Sequence, residues 1–292
     1  MRRTIPAVLA SLLLLSPLIA AEKIDSAALV IERYQQMTIP PGNPFGKDRD
    51  DRLQILQQLK QTPDQSVSAI AAALPNLNDP LQRAELAEAL RWFPNPQSAA
   101  LLAKLLNDPD QKVRGNAIHA LRMMARRVDR SGGSRTQRSG PFPPKVDGLV
   151  PHLIAAASDK TDVNRVVAAY ALADTLDPAA VPQLRKLLDD EAWTVRFHAA
   201  CLLTEFADAS GLMVLRNALT HLLDPANQET SGSLHTEMLL NSMQRITGKS
   251  FGPIPMDPGL MSDTRQAAAA TKQHQFLMQT WAQWWAWEPQ PR

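Results

Sequence analysis

Apolar residues recur at helical spacing along most of the chain, in stretches that are separated by short polar turns. In residues 108–121 the apolar positions form one stripe of a helix. Asp108 and Pro109 open this stretch, and we expect Asp108 to cap the helix and Pro109 to occupy its first position. A helix, a polar turn and a second helix alternate in this way between residues 48 and 223, so the pattern predicts an all-α chain of helix pairs.

An arginine followed seven residues later by a leucine marks each unit of the pattern. The gaps between successive arginines are 31, 31, 51 and 31 residues. Positions three, four and seven after the last four arginines are apolar, and a helix pair cannot bury such a stripe without neighbours. We therefore expect an α-solenoid of about five to six helix pairs. The marker pairs are Arg52/Leu59, Arg83/Leu90, Arg114/Leu121, Arg165/Leu172 and Arg196/Leu203.

The motif Asp-x-Asp-x-x-Val-Arg-x-x-Ala-x-x-Ala-Leu at residues 108–121 resembles the HEAT-like repeat, in the short bacterial form also called the phycobilisome-lyase-type repeat. The resemblance covers roughly residues 48–223, and we place the solenoid domain at 48–246. It implies that the second helix of each pair lines a concave side, and it implies no activity. We expect the repeat arginines to pair with carboxylates or carbonyls in the turns between units, which is a structural role.

The 51-residue gap exceeds the repeat by 20 residues, which fall in a Gly/Ser/Pro-rich segment at 126–147. Such composition predicts a flexible insertion. Two interpretations stay open: a solvated loop, or an arm that binds an anionic envelope polymer or an acidic protein. The arginines of this candidate arm are Arg126, Arg127, Arg130, Arg135 and Arg138, and Lys145 is its sixth basic residue.

Residues 247–292 combine a Pro-rich loop with a last helix from about residue 264 to residue 287. This helix carries a stripe of large apolar residues. The stripe is interpreted as a hydrophobic cap on the last repeat, and the alternative is a docking or sugar-stacking surface. With the preceding Arg-Ile-Thr-Gly-x-x-Phe-Gly motif, it resembles the C-terminal tail of exported bacterial HEAT-repeat proteins. The stripe consists of Leu277, Trp281, Trp284 and Trp285.

Residues 1–21 have a basic start, an apolar run and a small-residue end at Ala20 and Ala21. They are interpreted as a signal peptide that is cleaved near these alanines, and the alternative is an uncleaved membrane anchor. We expect a periplasmic or secreted protein with no membrane span after cleavage. A lead helix and loop follow at 22–47.

Removal of Arg2 and Arg3 from the 31 basic residues leaves 29, against 29 acidic residues, so the mature chain is neutral. A neutral chain gives no reason to expect nucleic acid as a partner. The single cysteine, Cys201, excludes an intramolecular disulfide.

The motifs of common hydrolases, metal sites and dinucleotide-binding sites are not found in the sequence, and we expect no catalytic residue, metal or cofactor. Positions two, five and nine after each repeat arginine should instead point towards the concave side. Stacking should bring the residues at position five into one row. The candidate binding residues are Glu88, His119, Tyr170, His198 and Cys201.

These observations predict an exported, non-catalytic scaffold or adaptor that binds a protein or peptide on the concave face of the solenoid. The alternative is an enzyme or an enzyme subunit, of a lyase or oxidoreductase-like HEAT type, with its site on the same row. A dependence of binding on His198 and Cys201 would favour the alternative.

Overall fold

A computed structural model of the chain describes residues 25–37, 47–126, 146–224, 227 and 233–287. In these ranges the chain forms thirteen α-helices and no strand, which confirms the all-α class. The predicted signal peptide lies outside the described residues. Within the described ranges, no helix combines the length and the apolar character that crossing a bilayer requires.

The chain divides into two compact units, residues 1–69 and 70–292. In the first unit, α1 (Ala27–Gln35) packs on α2 (Lys47–Gln57), which continues into a 3₁₀ turn. The Ser26 side chain caps α1 by accepting a hydrogen bond from the backbone N–H of Leu29. The buried face of α1 consists of Ala27, Val30, Ile31 and Tyr34.

The second unit contains a succession of helix pairs, each joined by a polar turn. The boundary between the units falls within α3, whose C-terminal part opens the second unit. The helices are α3 (Pro63–Ala73), α4 (Pro80–Ala89), α5 (Pro96–Leu105), α6 (Gln111–Ala125), α7 (Leu149–Ala156), α8 (Asp162–Asp174), α9 (Val181–Lys186), α10 (Trp193–Leu203), α11 (Leu212–Leu223), α12 (Ser233–Thr247) and α13 (Thr264–Trp287).

The second helices of consecutive pairs pack directly on one another, α4 on α6, α6 on α8 and α8 on α10. The residues of the stripe that the sequence predicts are fully buried. Burial of each of its large side chains stabilises the fold by about 1.5–3 kcal/mol, and the alanines let the helices approach closely. The stripe includes Leu86, Ala87, Ala117, Ile118, Ala168, Ala169, Ala199 and Ala200, each 0% exposed.

The start of α6 differs from the prediction. Asp110, not Asp108, caps this helix, and its carboxylate accepts hydrogen bonds from the N–H groups of Lys112 and Val113 at 2.8 and 3.3 Å. Asp108 is occupied elsewhere, because its carboxylate receives the guanidinium of Arg83. The Asp-Pro rule does hold one repeat earlier, where Asp79 caps α4 and Pro80 is its first residue.

The repeat arginines connect the turn of one pair to the turn of the next. Arg114 donates from Nε and Nη2 to the Asp159 carboxylate at 2.7 and 3.3 Å, and from Nη1 to the carbonyls of Asp108 and Pro109, each at 3.1 Å. Arg83 follows the same design. We call these arginines and their partners the turn ladder, and its four arginines are Arg83, Arg114, Arg165 and Arg196.

The ladder carboxylates remain ionised although they lie in partly buried turns. Burial favours the neutral form, but hydrogen bonds from the arginine and from a backbone N–H two residues further on lower the pKa of each carboxyl below its ordinary value. The structural role predicted for the repeat arginines is thus confirmed for Arg83, Arg114 and Arg165, and Arg196 fulfils it through carbonyls of its own turn. The carboxylates are those of Asp108, Asp159 and Asp190.

The last helix packs on α11 and α12 at the end of the second unit. Its apolar stripe contributes Leu277, Trp281 and Trp285 to the buried core, with Trp284 partly buried beside them. Phe251, in the preceding loop, meets the Trp281 ring edge-on at 4.8 Å between centroids. These contacts confirm the predicted packing of the tryptophan stripe as a cap.

Candidate binding face

Half-exposed polar and aromatic side chains run across α4, α6, α8 and α10, on the second helices of the pairs. We call this surface the second-helix face. It includes four of the five candidate binding residues of the sequence, together with an arginine that the sequence did not indicate. The face is defined by Glu88, His119, Arg122, Tyr170 and His198.

At one end of this face, Glu88 of α4 meets His119 of α6. The Glu88 carboxylate lies 3.0 Å from His119 Nδ1, and its other oxygen lies 2.8 Å from Arg91 Nε. The side chains of His119 and Glu88 remain 43% and 26% exposed. The structure therefore brings together the first two residues of the predicted row, in a cluster that solvent still reaches.

Arg122 continues the face from α6 to α8. Its Nε donates to the buried carboxylate of Asp174 at 2.8 Å, and its guanidinium carbon lies 4.9 Å from the centre of the Tyr170 ring. This is a cation–π distance, with a plane of the arginine side chain left at the surface. Arg122 lies one helical turn after His119, on the same side of α6. The sequence could have indicated it, because residues three apart on a helix are neighbours.

Tyr170 contacts His198 of the next pair, and not Cys201 as the predicted row requires. The Tyr170 hydroxyl lies 3.0 Å from His198 Nδ1 and 3.5 Å from the sulfur of Met238 on α12. Helices α8 and α10 are therefore offset, so that position five of one repeat meets position two of the next, whereas between α4 and α6 the contact joins position five of both repeats. The aligned sequence positions fix which residues share a face but not this offset.

Cys201 does not belong to the second-helix face, although the sequence predicts it there. Its side chain is 4% exposed and belongs to the apolar core, where it lies with Leu239, Leu240 and Met243 of α12. Burial raises the pKa of the Cys201 thiol to about 12, so it stays protonated at neutral pH. The reason is that α12 packs on α10 and covers the position that earlier repeats leave open.

His198 is neutral for a similar reason. Burial lowers its pKa to about 4, and the neighbouring His235 ring, 5.6 Å away between centroids, contributes in the same direction. Aromatic rings surround it, with Phe197 at 5.4 Å and Tyr170 at 5.4 Å. At this end the second-helix face therefore presents aromatic rings and a neutral imidazole, in contrast to the charged cluster at Glu88.

Arg126 is the one basic residue of the candidate arm that the structure describes. It follows α6 directly and is half-buried. The others, Arg127, Arg130, Arg135, Arg138 and Lys145, lie outside the described residues.

Two surface grooves lie between the first helices of consecutive pairs. One, of about 470 Å³, is lined by α3 and α5 with residues such as Ala71 and Leu101, and the other, of about 500 Å³, by α5 and α7 with residues such as Leu106 and His152. In the described part of the chain, histidine, cysteine, aspartate and glutamate form no group of three that could hold a metal ion.

The family model that describes HEAT repeats matches residues 46–123 and 150–230, which is more than half of the chain. The two matched regions contain the helices that carry the turn ladder and the second-helix face, and the gap between them contains the basic segment. Among curated proteins, none matches the chain. The length of the family match, with the stacked helix pairs that the structure shows, establishes that this chain belongs to the HEAT-repeat family.

Proposed function

We propose that the protein is a non-catalytic scaffold that binds a protein or peptide on the second-helix face. One observation carries the proposal: the side chains of this face change identity from repeat to repeat and stay half-exposed, whereas the three ion pairs of the turn ladder repeat and are at most 15% exposed. A stack of repeats presents an extended surface that suits a polypeptide partner.

The chemistry of the face supports a polypeptide over a compact ligand. Its charged end offers donors from His119 and Arg91 beside a carboxylate, and its aromatic end offers Tyr170 beneath the Arg122 guanidinium. Arginine and tyrosine are the residue types that most often anchor protein interfaces. We expect a partner segment to cross α4, α6 and α8 and to place an apolar or aromatic side chain near Tyr170.

Site-directed photo-crosslinking tests the proposal. A benzoyl-phenylalanine in place of His119, on the face, should capture a discrete partner from cells that express the protein. The same residue in place of Lys104, which is exposed on the first helix α5, should not. Adding Arg122→Ala to the His119 variant should weaken the crosslink, because it removes the side chain that stacks on Tyr170.

The controls make the test decisive. The partner, once identified by mass spectrometry and purified, should bind the wild-type chain more tightly than the Tyr170→Ala chain. Equal capture at positions 119 and 104, or equal binding by both chains, would contradict the proposal. Circular dichroism of each variant separates loss of binding from loss of fold.

The second part of the proposal is that the scaffold acts outside the cytoplasm. It is supported by the composition of residues 1–21, with Arg2 and Arg3 before an apolar run. Expression in a bacterial host followed by fractionation and intact-mass measurement tests it. We expect a periplasmic or secreted product that lacks about 20 residues. A full-length product in the cytoplasm would contradict export and leave the binding proposal unaffected.

A further inference from the structure

Three arginines of the turn ladder form an ion pair with an aspartate from the next helix pair. Arg83, Arg114 and Arg165 each direct Nη1 to backbone carbonyls of their own turn and direct Nε and Nη2 to an aspartate. For Arg165, Nε and Nη2 lie 2.8 and 2.7 Å from the Asp190 carboxylate. The repeated geometry defines a carboxylate position in front of each arginine.

The fourth arginine keeps half of this arrangement. Arg196, on α10, donates from Nη1 to the carbonyls of Asp190 and Glu191, each at 2.7 Å, as the other arginines do in their own turns. In the part of the chain that the structure describes, no carboxylate lies within ion-pair distance of its Nε and Nη2. The guanidinium is thus oriented by its carbonyl contacts. Its Nε and Nη2 atoms, which bind aspartate elsewhere in the ladder, remain open.

The ladder aspartates Asp108 and Asp190 stand 25 residues after their arginines, and His221 stands at this position after Arg196. The next acidic residue is Asp224, three residues further on and directly after α11. The pair α11–α12 also differs from the earlier ones, because α12 packs on α10, α11 and α13 in the closing core. The ladder therefore stops one carboxylate short of its last arginine.

We propose that Arg196 is a subsite for the carboxylate of an acidic side chain of a bound polypeptide. This goes beyond the proposed function, because the subsite lies in the turn ladder and not on the second-helix face. Two parallel donors, Nε–H and Nη2–H, match the two oxygens of a carboxylate. The same two donors already hold carboxylates in three equivalent places in this molecule.

The surroundings favour a carboxylate over a phosphate group. The Asp190 carboxylate lies in the same turn, and the Glu191 side chain next to it is 86% exposed. Both add negative potential, which opposes a doubly charged phosphate more than a singly charged carboxylate. A basic residue at this position of the partner is excluded by the guanidinium itself.

Nuclear magnetic resonance of the arginine Nε–Hε groups in the ¹⁵N-labelled full chain tests the subsite. The signal of Arg196 is identified by its loss in Arg196→Lys. The probe is a blocked Gly-Asp-Gly peptide, with blocked Gly-Asn-Gly as the matched control at constant ionic strength. Concentrations on the order of tens of millimolar are needed, because a single exposed ion pair is weak.

We expect the Asp peptide to shift the Arg196 signal and to leave the Arg114 and Arg165 signals in place, since their Nε–H groups already donate to aspartates. The Asn peptide should shift none of them. The proposal is overturned if the Asn peptide gives the same shift, if all arginine signals move together, or if the Arg196 signal does not respond.

A second variant tests closure by the chain itself. If Asp224 occupies the subsite in solution, Asp224→Asn will shift the Arg196 signal without any peptide, and this result also overturns the proposal. We expect Asp224→Asn to leave both the signal and its response to the Asp peptide unchanged. The Arg114 and Arg165 signals report in every sample that the ladder is folded.

Discussion

The turn ladder and the second-helix face pair basic with acidic residues in opposite settings. In the ladder, the Arg114 and Asp159 side chains are 4% and 3% exposed. On the face, those of His119 and Glu88 are 43% and 26% exposed. An ion pair removed from water is costly to break, whereas a solvated pair contributes little to stability. Charges of the ladder therefore hold the repeats in order, and charges of the face are available for recognition.

Repetition follows the same division. The ladder uses one residue type at one position in four successive pairs, because their turns have the same structural task. The face presents Glu88, His119 and Tyr170 at the equivalent position, and its contacts differ from pair to pair. A repeat protein can vary such a surface without changing its core, since each pair contacts only its neighbours.

The largest effect should come from breaking the most buried ladder contact. Asp159→Ala leaves the Arg114 guanidinium buried without its carboxylate, and we expect the free energy of unfolding to fall by about 3–5 kcal/mol. Urea unfolding followed by circular dichroism measures it. The matched control on the face, Glu88→Ala, should cost less than about 1 kcal/mol. Equal losses in the two variants would remove the distinction between ladder and face.

A smaller effect should appear at the aromatic end of the face as the pH falls. The pKa of His198 is lowered from 6.5 to about 4 in the folded chain, so the unfolded chain binds the proton more readily. Protonation of His198 therefore leaves the free energy of unfolding unchanged above pH 6.5. As the pH falls from 6.5 towards 4, it lowers the free energy of unfolding by about 3 kcal/mol at most. Urea midpoints measured across this range give the slope.

His198→Gln should reduce this slope, and His235, whose pKa burial also lowers, contributes the remainder. The ladder aspartates act in a separate window, because their folded pKa values lie below the ordinary 3.8. Their contribution is lost only as the pH falls below that value. An unchanged slope in His198→Gln would show that another group causes any loss of stability between pH 6.5 and 4.

The sequence predicts the repeated parts of this molecule well and the exceptions poorly. Spacing alone locates the helix pairs, the buried stripe and the structural role of Arg114, because these depend on local periodicity. It fails for Asp108, where a long-range arginine competes with helix capping. It fails also for Cys201, because nothing local indicates that α12 will cover α10. The neighbours of Tyr170 depend on an offset between helices that only packing sets.

Removal of one hydroxyl should have a still smaller effect. Tyr170→Phe keeps the ring beneath Arg122 and deletes the hydrogen bond to His198 Nδ1. We expect a loss of about 1 kcal/mol in the free energy of unfolding, the usual contribution of one hydrogen bond. Tyr170→Leu, which removes the ring as well, should cost more. If Phe and Leu are equivalent, the ring contact with Arg122 contributes nothing.

The smallest effect should be found at the charged end of the face. A double-mutant cycle with Glu88→Gln and His119→Gln should give a coupling energy below about 0.5 kcal/mol, because solvent reaches both side chains. The coupling should disappear in high salt, where surface charges are screened. The same two substitutions, measured through the free energy of binding to the purified partner, should give a larger coupling energy, since binding removes the pair from water. A strong, salt-independent coupling in the free protein would mean that this pair stabilises the fold, and that the face and the ladder do not differ as proposed.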